Sequence, residues 1–396
     1  MPGSGRTFYI VGAGISGLTL ALALARFGAS VMVLERSPVL SEFGAGLQVG
    51  PNARCILDRL GLDEALTATG LEPVGIDIYP FGSTHPLVTM ELGAVMSDRF
   101  GAAYSVMHRA DLADALYKAT RRFANIDIQF GVRAWDATSN SRGVSLTIED
   151  SQGQTRKARA SALIGADGVH SLTRTNLLSG PPAQYRHRAA WRTLLPYASL
   201  AGQIELDRVS VLFGPGYHMV CYPLPHRRQV NIALFAKAPS AGAETGTRPN
   251  LPTTGKRSPR IDVILAAAGD SWTPWPLYTV DAPSWRNGNI GIIGDAAHAM
   301  VPFQAQGAAM GIEDAAVLAP LLVNEKTAEA AFARYEAIRR PRVARVAKTS
   351  LSNGAIFHMR WPLSIARNLG IRAQGKQGHL KRLAWLYGHD AGNTET

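Results

Sequence analysis

Phe8-Tyr9-Ile10-Val11-Gly12-Ala13-Gly14-Ile15-Ser16-Gly17 is the stretch that decides the fold. Four apolar residues form a strand, three glycines spaced GxGxxG follow at once, and an apolar helical pattern opens beyond them. Such glycines let the backbone turn tightly and approach a pyrophosphate, and the helix N-terminus adds free N–H groups and the positive end of its dipole. A second apolar run, Val31-Met32-Val33-Leu34, ends at Glu35, a carboxylate placed to bind a ribose hydroxyl. This is the βαβ unit of a dinucleotide site, and by itself it does not separate a nicotinamide from a flavin.

Two later stretches separate them. Ala162-Leu163-Ile164-Gly165-Ala166-Asp167-Gly168 runs on to Arg174, and Gly291-Ile292-Ile293-Gly294-Asp295-Ala296-Ala297-His298 lies more than a hundred residues further on. Each is an apolar strand entering a turn of small residues with a carboxylate at the strand end. In this order and at these separations, the three stretches resemble the class A flavoprotein aromatic hydroxylases over nearly the whole chain. The chain is similar above all to the salicylate, 3-hydroxybenzoate and 6-hydroxynicotinate hydroxylases. That closer likeness rests on Gly44-Ala45-Gly46-Leu47-Gln48-Val49-Gly50-Pro51-Asn52-Ala53, on Met107-His108-Arg109-Ala110-Asp111-Leu112, on the run from Gln304 to Ala315, and on Trp385-Leu386-Tyr387-Gly388-His389-Asp390-Ala391.

The resemblance implies an α/β fold: a Rossmann-like FAD-binding lobe, a mostly antiparallel β-sheet substrate lobe, and C-terminal helices. Residues 1–75, 105–185 and 275–345 are expected to form the discontinuous FAD lobe. Residues 76–104 and 186–274 are expected to form the substrate lobe, and 346–396 a helical tail. Along the chain, a helix is expected over 110–124, strands near 126–130 and 144–148, and short alternating runs over 186–236 that suit an antiparallel sheet. Residues 237–260, rich in Pro, Gly, Ser, Thr and Ala, read as a loop.

The same resemblance assigns cofactor roles. Gly12, Gly14, Ser16 and Gly17 would admit the FAD pyrophosphate, Glu35 the adenosine ribose, and Arg36 and Arg109 further FAD contacts. Asp167 would serve both FAD and a transient NAD(P)H, with Arg174 in support. Asp295 would meet the ribityl and pyrophosphate region, Gln48 would flank the ring system, and Gly307 and Ala308 would open a helix aimed at the flavin pyrimidine. One dinucleotide fold leaves NAD(P)H no Rossmann site of its own. Hydride transfer to FAD, O2 capture as a flavin C4a-hydroperoxide and oxygen transfer to a small hydroxylated ring are the implied chemistry.

Bulk properties agree. A chain of 396 residues, 46% hydrophobic, can bury a large core in two lobes. The formal charge of +11, from 41 basic and 30 acidic residues, raises nucleic-acid binding, yet the basic residues are scattered and no recognisable module accompanies them. The positive field suits an anionic substrate and a nicotinamide dinucleotide. No uninterrupted apolar segment is long enough to cross a bilayer. The start of the chain lacks the pattern of a signal peptide, which favours the cytoplasm, and stable membrane association is not expected. Cys55 and Cys221 fit neither a disulfide framework nor a metal pattern. A monomer or homodimer is expected.

Ionising a ring hydroxyl makes the ring far more nucleophilic, so the substrate lobe calls for a general base, best a histidine. His218-Met219-Val220-Cys221-Tyr222-Pro223-Leu224 supplies one. His218 and Tyr222 share strand parity and one face. Their spacing ahead of Pro-Leu is similar to the family's base and substrate-positioning pair; the competing reading makes them ordinary strand core. Pro302 matches a family position at the flavin C4a edge. His298 reads as a turn stabiliser, and Met219 and Trp191 as candidates for the ring pocket. Residues 275–283 lack the arginine that relatives carry there, and no arginine can be assigned to a substrate carboxylate. The open alternatives are a monooxygenase or epoxidase of a larger apolar substrate and a non-oxygenating FAD-binding dehydrogenase.

Overall fold

The computed structural model describes residues 1–40, 46–200, 202–242, 244–251 and 257–393. The first part of the chain runs β1 (Thr7–Val11), α1 (Ile15–Arg26), β2 (Ser30–Leu34), β3 (Gly46–Val49), α2 (Pro51–Arg59), α3 (Asp63–Thr69), β4 (Gly75–Tyr79) and β5 (Val88–Glu91). Then come α4 (Ala94–Phe100), β6 (Ser105–His108), α5 (Arg109–Thr120), β7 (Ile126–Gln129), β8 (Ala134–Asn140), β9 (Gly143–Glu149), β10 (Thr155–Ala160) and β11 (Ala162–Gly165). A strand-rich stretch follows with β12 (Gln184–Pro196), β13 (Val209–Gly214), β14 (Tyr217–Leu224) and β15 (Gln229–Lys237). The rest is α6 (Pro259–Ala268), β16 (Thr273–Thr279), β17 (Arg286–Asn287), β18 (Ile290–Ile292), α7 (Asp295–His298), α8 (Gly307–Asn324), α9 (Ala328–Phe357) and α10 (Leu363–Tyr387).

The six-stranded sheet has the order β17-β18-β11-β1-β2-β7, parallel except for the edge strand β17. Its central strands are continuous apolar runs because helices or a second sheet cover both faces. Register explains how distant motifs meet. Val11 lies beside Leu34 on one side and Gly165 on the other, and Gly165 lies beside Ile292. One row across the sheet therefore ends four strands together, and the turns bearing Gly12, Glu35, Asp167 and Asp295 share one carboxyl edge, where α/β sheets bind ligands.

The seven-stranded sheet has the order β16-β12-β15-β14-β13-β4-β5, antiparallel apart from the β13–β4 pair. Alternation divides β14 cleanly. Tyr217, Met219 and Cys221 join the core under α6, whereas Tyr222 and Leu224 join the core of the nucleotide lobe. Trp191 and Met219 both pair with Leu234 and belong with it on the α6 side, so the expectation that these two line the ring pocket is corrected: register turns them to the face opposite His218 and Tyr222.

Helix α8, 18 residues long, reaches the length and mean hydropathy of a bilayer span, but Glu313 and Asp314 interrupt its apolar run, 72% of that window is buried, and both carboxylates are ion-paired inside the core. The loop over 237–260 falls partly on residues 243 and 252–256, which lie outside the described residues, as do Gly44 and Ala45 of the stretch from Gly44 to Ala53. Its end is helical: α6 starts at Pro259, whose fixed φ suits the first turn, after an extended Ser258.

Candidate active site

A cavity of about 800 Å³ opens at the carboxyl edge of the six-stranded sheet. Gly12, Gly14 and Ser16 form one wall, with Glu35 and Arg36 beside them, while Arg109 and Asp167 approach from α5 and β11. Asp295, Gly307 and Ala308 complete the wall from the C-terminal part of the chain. Gly17 stands behind rather than in it: a Cβ there would lie 2.0 Å from the Gly12 carbonyl oxygen, so this glycine lets α1 press against the β1 turn. Gly12 has φ +104, open to glycine, and a Cβ would meet the Ala166 carbonyl oxygen at 2.5 Å.

The carboxylates are fixed by backbone. Glu35 accepts from the N–H groups of Ala13 and Ser37, each at 2.8 Å. Asp167 accepts from the Ser171 hydroxyl at 2.5 Å, and from the Thr173 N–H at 2.9 Å and hydroxyl at 3.0 Å. Arg174, fully buried, donates to the carbonyls of Pro181, Ala296 and Val169, tying the Asp167 turn to α7. Neither α1 nor α8 has a side-chain cap at its N-terminus, so the first-turn N–H groups of both remain available at the cavity. This donor set fits FAD: glycine-lined backbone and an uncapped helix for the pyrophosphate, a preset carboxylate for a ribose, and a second uncapped helix for an electron-rich ring edge.

Behind α8 lies a buried charge cluster that sequence reading did not foresee. Arg339 donates to Glu313 at 2.6 Å and Asp314 at 2.8 Å, and Arg342 donates to Glu313 at 2.8 Å. Burial opposes ionisation of Asp314, but His298 at 2.6 Å and Arg339 outweigh it and hold the carboxyl well below its usual range. Asp314 also accepts from the Gly294 N–H, so His298 does brace its turn. Asn52 donates to Glu313 at 2.7 Å and to Gln306 at 2.9 Å, and Arg342 donates to the Trp385 and Leu386 carbonyls. The motifs around Asn52, Glu313 and Trp385 are thus one cluster, which fixes the residue just before Gly307.

The face of the seven-stranded sheet that carries Arg192, His218 and Tyr222 looks toward the cavity. Tyr222 packs on Gly46, where a Cβ would come within 2.5 Å of its hydroxyl oxygen, and Gly46 N–H donates to Asn231 at 2.7 Å. Burial pushes the Tyr222 hydroxyl pKa up, so it stays protonated. His218 is enclosed by the rings of Phe235 and Phe303, with centroids at 4.6 and 5.2 Å, and its Nδ1 lies 2.8 Å from His358 Nε2. Burial, then His358 and Arg188, hold His218 well below the usual imidazole pKa. Pro302 sits between Val301 and Phe303 in the segment that leads to α8. Gln48 is bonded to the Tyr104 hydroxyl on the β3–β6 pair. His218, Tyr222, Pro302 and Gln48 are not in the wall of the 800 Å³ cavity.

Arg192 and Trp275 are among the cavity residues that escaped the reading of the sequence. Arg192 on β12 lines the cavity with Trp275, its guanidinium 5.3 Å from the indole centroid. It makes no hydrogen bond or ion pair among the described residues. Burial, with Arg109 adding to it, lowers its pKa to about 10, so it is charged at neutral pH. A cation in the middle of the largely apolar stretch Ala189-Ala190-Trp191-Arg192-Thr193-Leu194-Leu195 was a legible signal.

The FAD binding domain family matches residues 6–350. The chain is 33% identical to the 3-amino-4-hydroxybenzoate 2-monooxygenase PtnB3 of Streptomyces platensis, over 96% of each chain. It is 31% identical to the 3-hydroxybenzoate 6-hydroxylase of Klebsiella oxytoca, again over 96% of each. Among solved structures, a substrate complex of salicylate hydroxylase superposes with a TM-score of 0.77 at 24% identity, covering 98% of this chain and 97% of that one. Fold, carboxyl-edge cavity and relatives agree: the chain belongs to the FAD binding domain family, among the class A flavoprotein aromatic hydroxylases.

Proposed function

We propose that the protein is an FAD-dependent monooxygenase that uses NAD(P)H and O2 to hydroxylate a small aromatic ring carrying both a hydroxyl and a carboxylate. The observation that carries this reading is one sheet face on which Arg192, His218 and Tyr222 all turn toward the flavin lobe. FAD, when bound, supplies electron transfer and oxygen activation. The chain supplies the rest.

Arg192 is a preset anion site: a charged guanidinium without a carboxylate partner among the described residues is costly to bury, and a substrate carboxylate would relieve that cost. His218 has one ring nitrogen engaged by His358 and the other, Nε2, available to a substrate hydroxyl. Tyr222, protonated, would orient that same hydroxyl. Phe235 and Phe303 keep water from the ring. Pro302, without an N–H, shapes the turn ahead of α8 without adding a donor. Gly307 and Ala308 present their N–H groups at the uncapped end of α8. The relatives named above act on hydroxybenzoates, which carry both functional groups the face would recognise. The free thiols of Cys55 and Cys221 suit a reducing compartment, and we place the enzyme in the cytoplasm as a monomer or homodimer.

The test is a binding titration of the FAD-loaded protein, read by flavin absorbance, with 3-hydroxybenzoate, benzoate and phenol. The hydroxyacid should bind tighter than either fragment by at least about tenfold, since each loses one polar contact. Equal affinities for all three would refute a face that reads both groups.

A further inference from the structure

His218 and His358 stand 140 residues apart in sequence, yet their rings share a hydrogen bond of 2.8 Å between Nδ1 and Nε2. A shared proton forces opposite roles on the two nitrogens, one donor and one acceptor. The outer end of the pair is unfinished: His358 Nδ1 is buried and has no hydrogen-bond partner among the described residues. His358 caps the end of α9, and the chain beyond it reaches solvent at once, with Trp361 79% exposed. The two rings lie on one face of the sheet, both against Phe303, and the pair therefore runs along that face toward the β13–β14 hairpin and the surface turn that follows α9.

We propose that His218 and His358 form a two-ring proton wire that carries the substrate's hydroxyl proton out of the site, with His358 as the positioning and relay residue. This rests on the reading of His218 as the group that meets the hydroxyl. In the resting state His218 carries its proton on Nδ1 and donates it to His358 Nε2, and His358 carries its own on Nδ1. Three bonds then exchange. The substrate O–H breaks as His218 Nε2–H forms; His218 Nδ1–H breaks as His358 Nε2–H forms; His358 Nδ1–H breaks as a water accepts that proton. The products are a phenolate, one proton in solvent, and two neutral rings in the opposite tautomer, with His218 Nε2–H now donating to the phenolate oxygen. Protonation of the product oxygen runs the same exchange backward and resets the pair.

Electrostatics favour a relay over simple capture. Among the described residues, the charged side chains that bear on the pair are cations: Arg188 from β12 on both rings, and Arg367 from α10 on His358. The other neighbours of His218 are the rings of Phe235, Phe303 and Phe357. Burial and then these guanidinium groups lower the His358 pKa to about 3. An imidazolium stored at His218 would meet the same opposition, whereas the wire never creates one.

Two variants test the wire, His358→Phe and His358→Gln. Glutamine keeps a hydrogen bond to His218 Nδ1 but cannot pass a proton between two ring nitrogens. FAD-loaded wild type and variants, matched for flavin content, are titrated with 3-hydroxybenzoate between pH 6 and 9. Ligand ionisation is read in the ultraviolet and released protons with an indicator dye. Wild type should bind the phenolate and release about one proton per site at pH 7.5, far below the ordinary phenol pKa of about 10. Both variants should shift bound-ligand ionisation upward by at least about one pH unit and slow hydroxylation by about 10²-fold at nearly unchanged KM. A Gln variant that ionises the ligand as wild type does would overturn the wire and leave the base reading intact. A wild type that binds the ligand neutral, with no proton release, would overturn both.

Discussion

The guanidinium of Arg192 lies over the indole of Trp275, 5.3 Å from its centroid, on neighbouring strands of the seven-stranded sheet. The indole holds the cation in place without neutralising it, since a π face attracts charge but offers no counter-ion. Arg192→Gln should therefore raise KM for carboxylate-bearing phenols by about 10- to 100-fold, equivalent to about 1.5–3 kcal/mol for a charged hydrogen bond. Phenols without the carboxylate should be little affected. Steady-state kinetics on matched pairs of substrates checks this, and an equal loss on both members would remove Arg192 from carboxylate recognition.

Gly17 makes a different prediction because it acts from behind the cavity. Gly17→Ala places a methyl 2.0 Å from the Gly12 carbonyl oxygen, against backbone that cannot yield without shifting the turn. Overpacking of this kind costs about 1–3 kcal/mol. The variant should purify with less flavin and a lower melting temperature, read from the 450-to-280 nm absorbance ratio and from thermal unfolding.

Much of this was legible from sequence for a definite reason. The Gly12, Asp167 and Asp295 turns are local signals, an apolar strand followed by small residues, and parallel pairing brings them to one edge. Parity likewise placed His218 and Tyr222 on one face, and the same rule could have excluded Met219, whereas the face of Trp191 depends on the register of β12 through β15 to β14. Arg192 was visible as a cation within an apolar strand, but its neighbour Trp275 lies 83 residues away. His358 and the Arg339 cluster carried no local signal at all. Their partners come from helices whose packing angle sequence periodicity does not encode, and the His218–His358 contact spans 140 residues.

Glu313 tests that cluster. Its carboxylate sits between Arg339 and Arg342 and accepts from Asn52, all out of solvent. Glu313→Gln leaves two buried guanidinium groups short of charge, and breaking a buried ion pair from one side costs about 3–5 kcal/mol. Denaturant unfolding should show a loss of that order together with weaker FAD retention, because Asn52 and Gln306 position the start of α8. A loss below about 1 kcal/mol would mean that the cluster does not support the site.

The two histidines also set an acid limit. Burial and then neighbouring cations lower both pKa values, that of His358 to about 3, while unfolded histidine titrates near 6.5. Between those values the unfolded chain binds more protons than the folded one, so stability rises with pH there and is lost as pH falls below about 6.5. At pH 5.5 the His358 ring should cost about 1.4 kcal/mol relative to pH 8, and His218 adds to the loss in the same direction. Denaturant unfolding of the His358→Phe variant should show a pH dependence smaller by about one ring's share; an unchanged pH dependence would contradict the shift.

Oxygen transfer to a small hydroxylated ring is read from product mass under ¹⁸O2. The FAD-loaded protein is incubated with NADH or NADPH and a panel of hydroxybenzoates, phenols and hydroxypyridines, with reduced nicotinamide consumption followed in the same wells. The expected result is a hydroxylated carboxylic acid that carries one ¹⁸O atom and forms in step with nicotinamide oxidation. Oxidation that yields only hydrogen peroxide across the whole panel would contradict the small-ring reading, while leaving the flavin site in place.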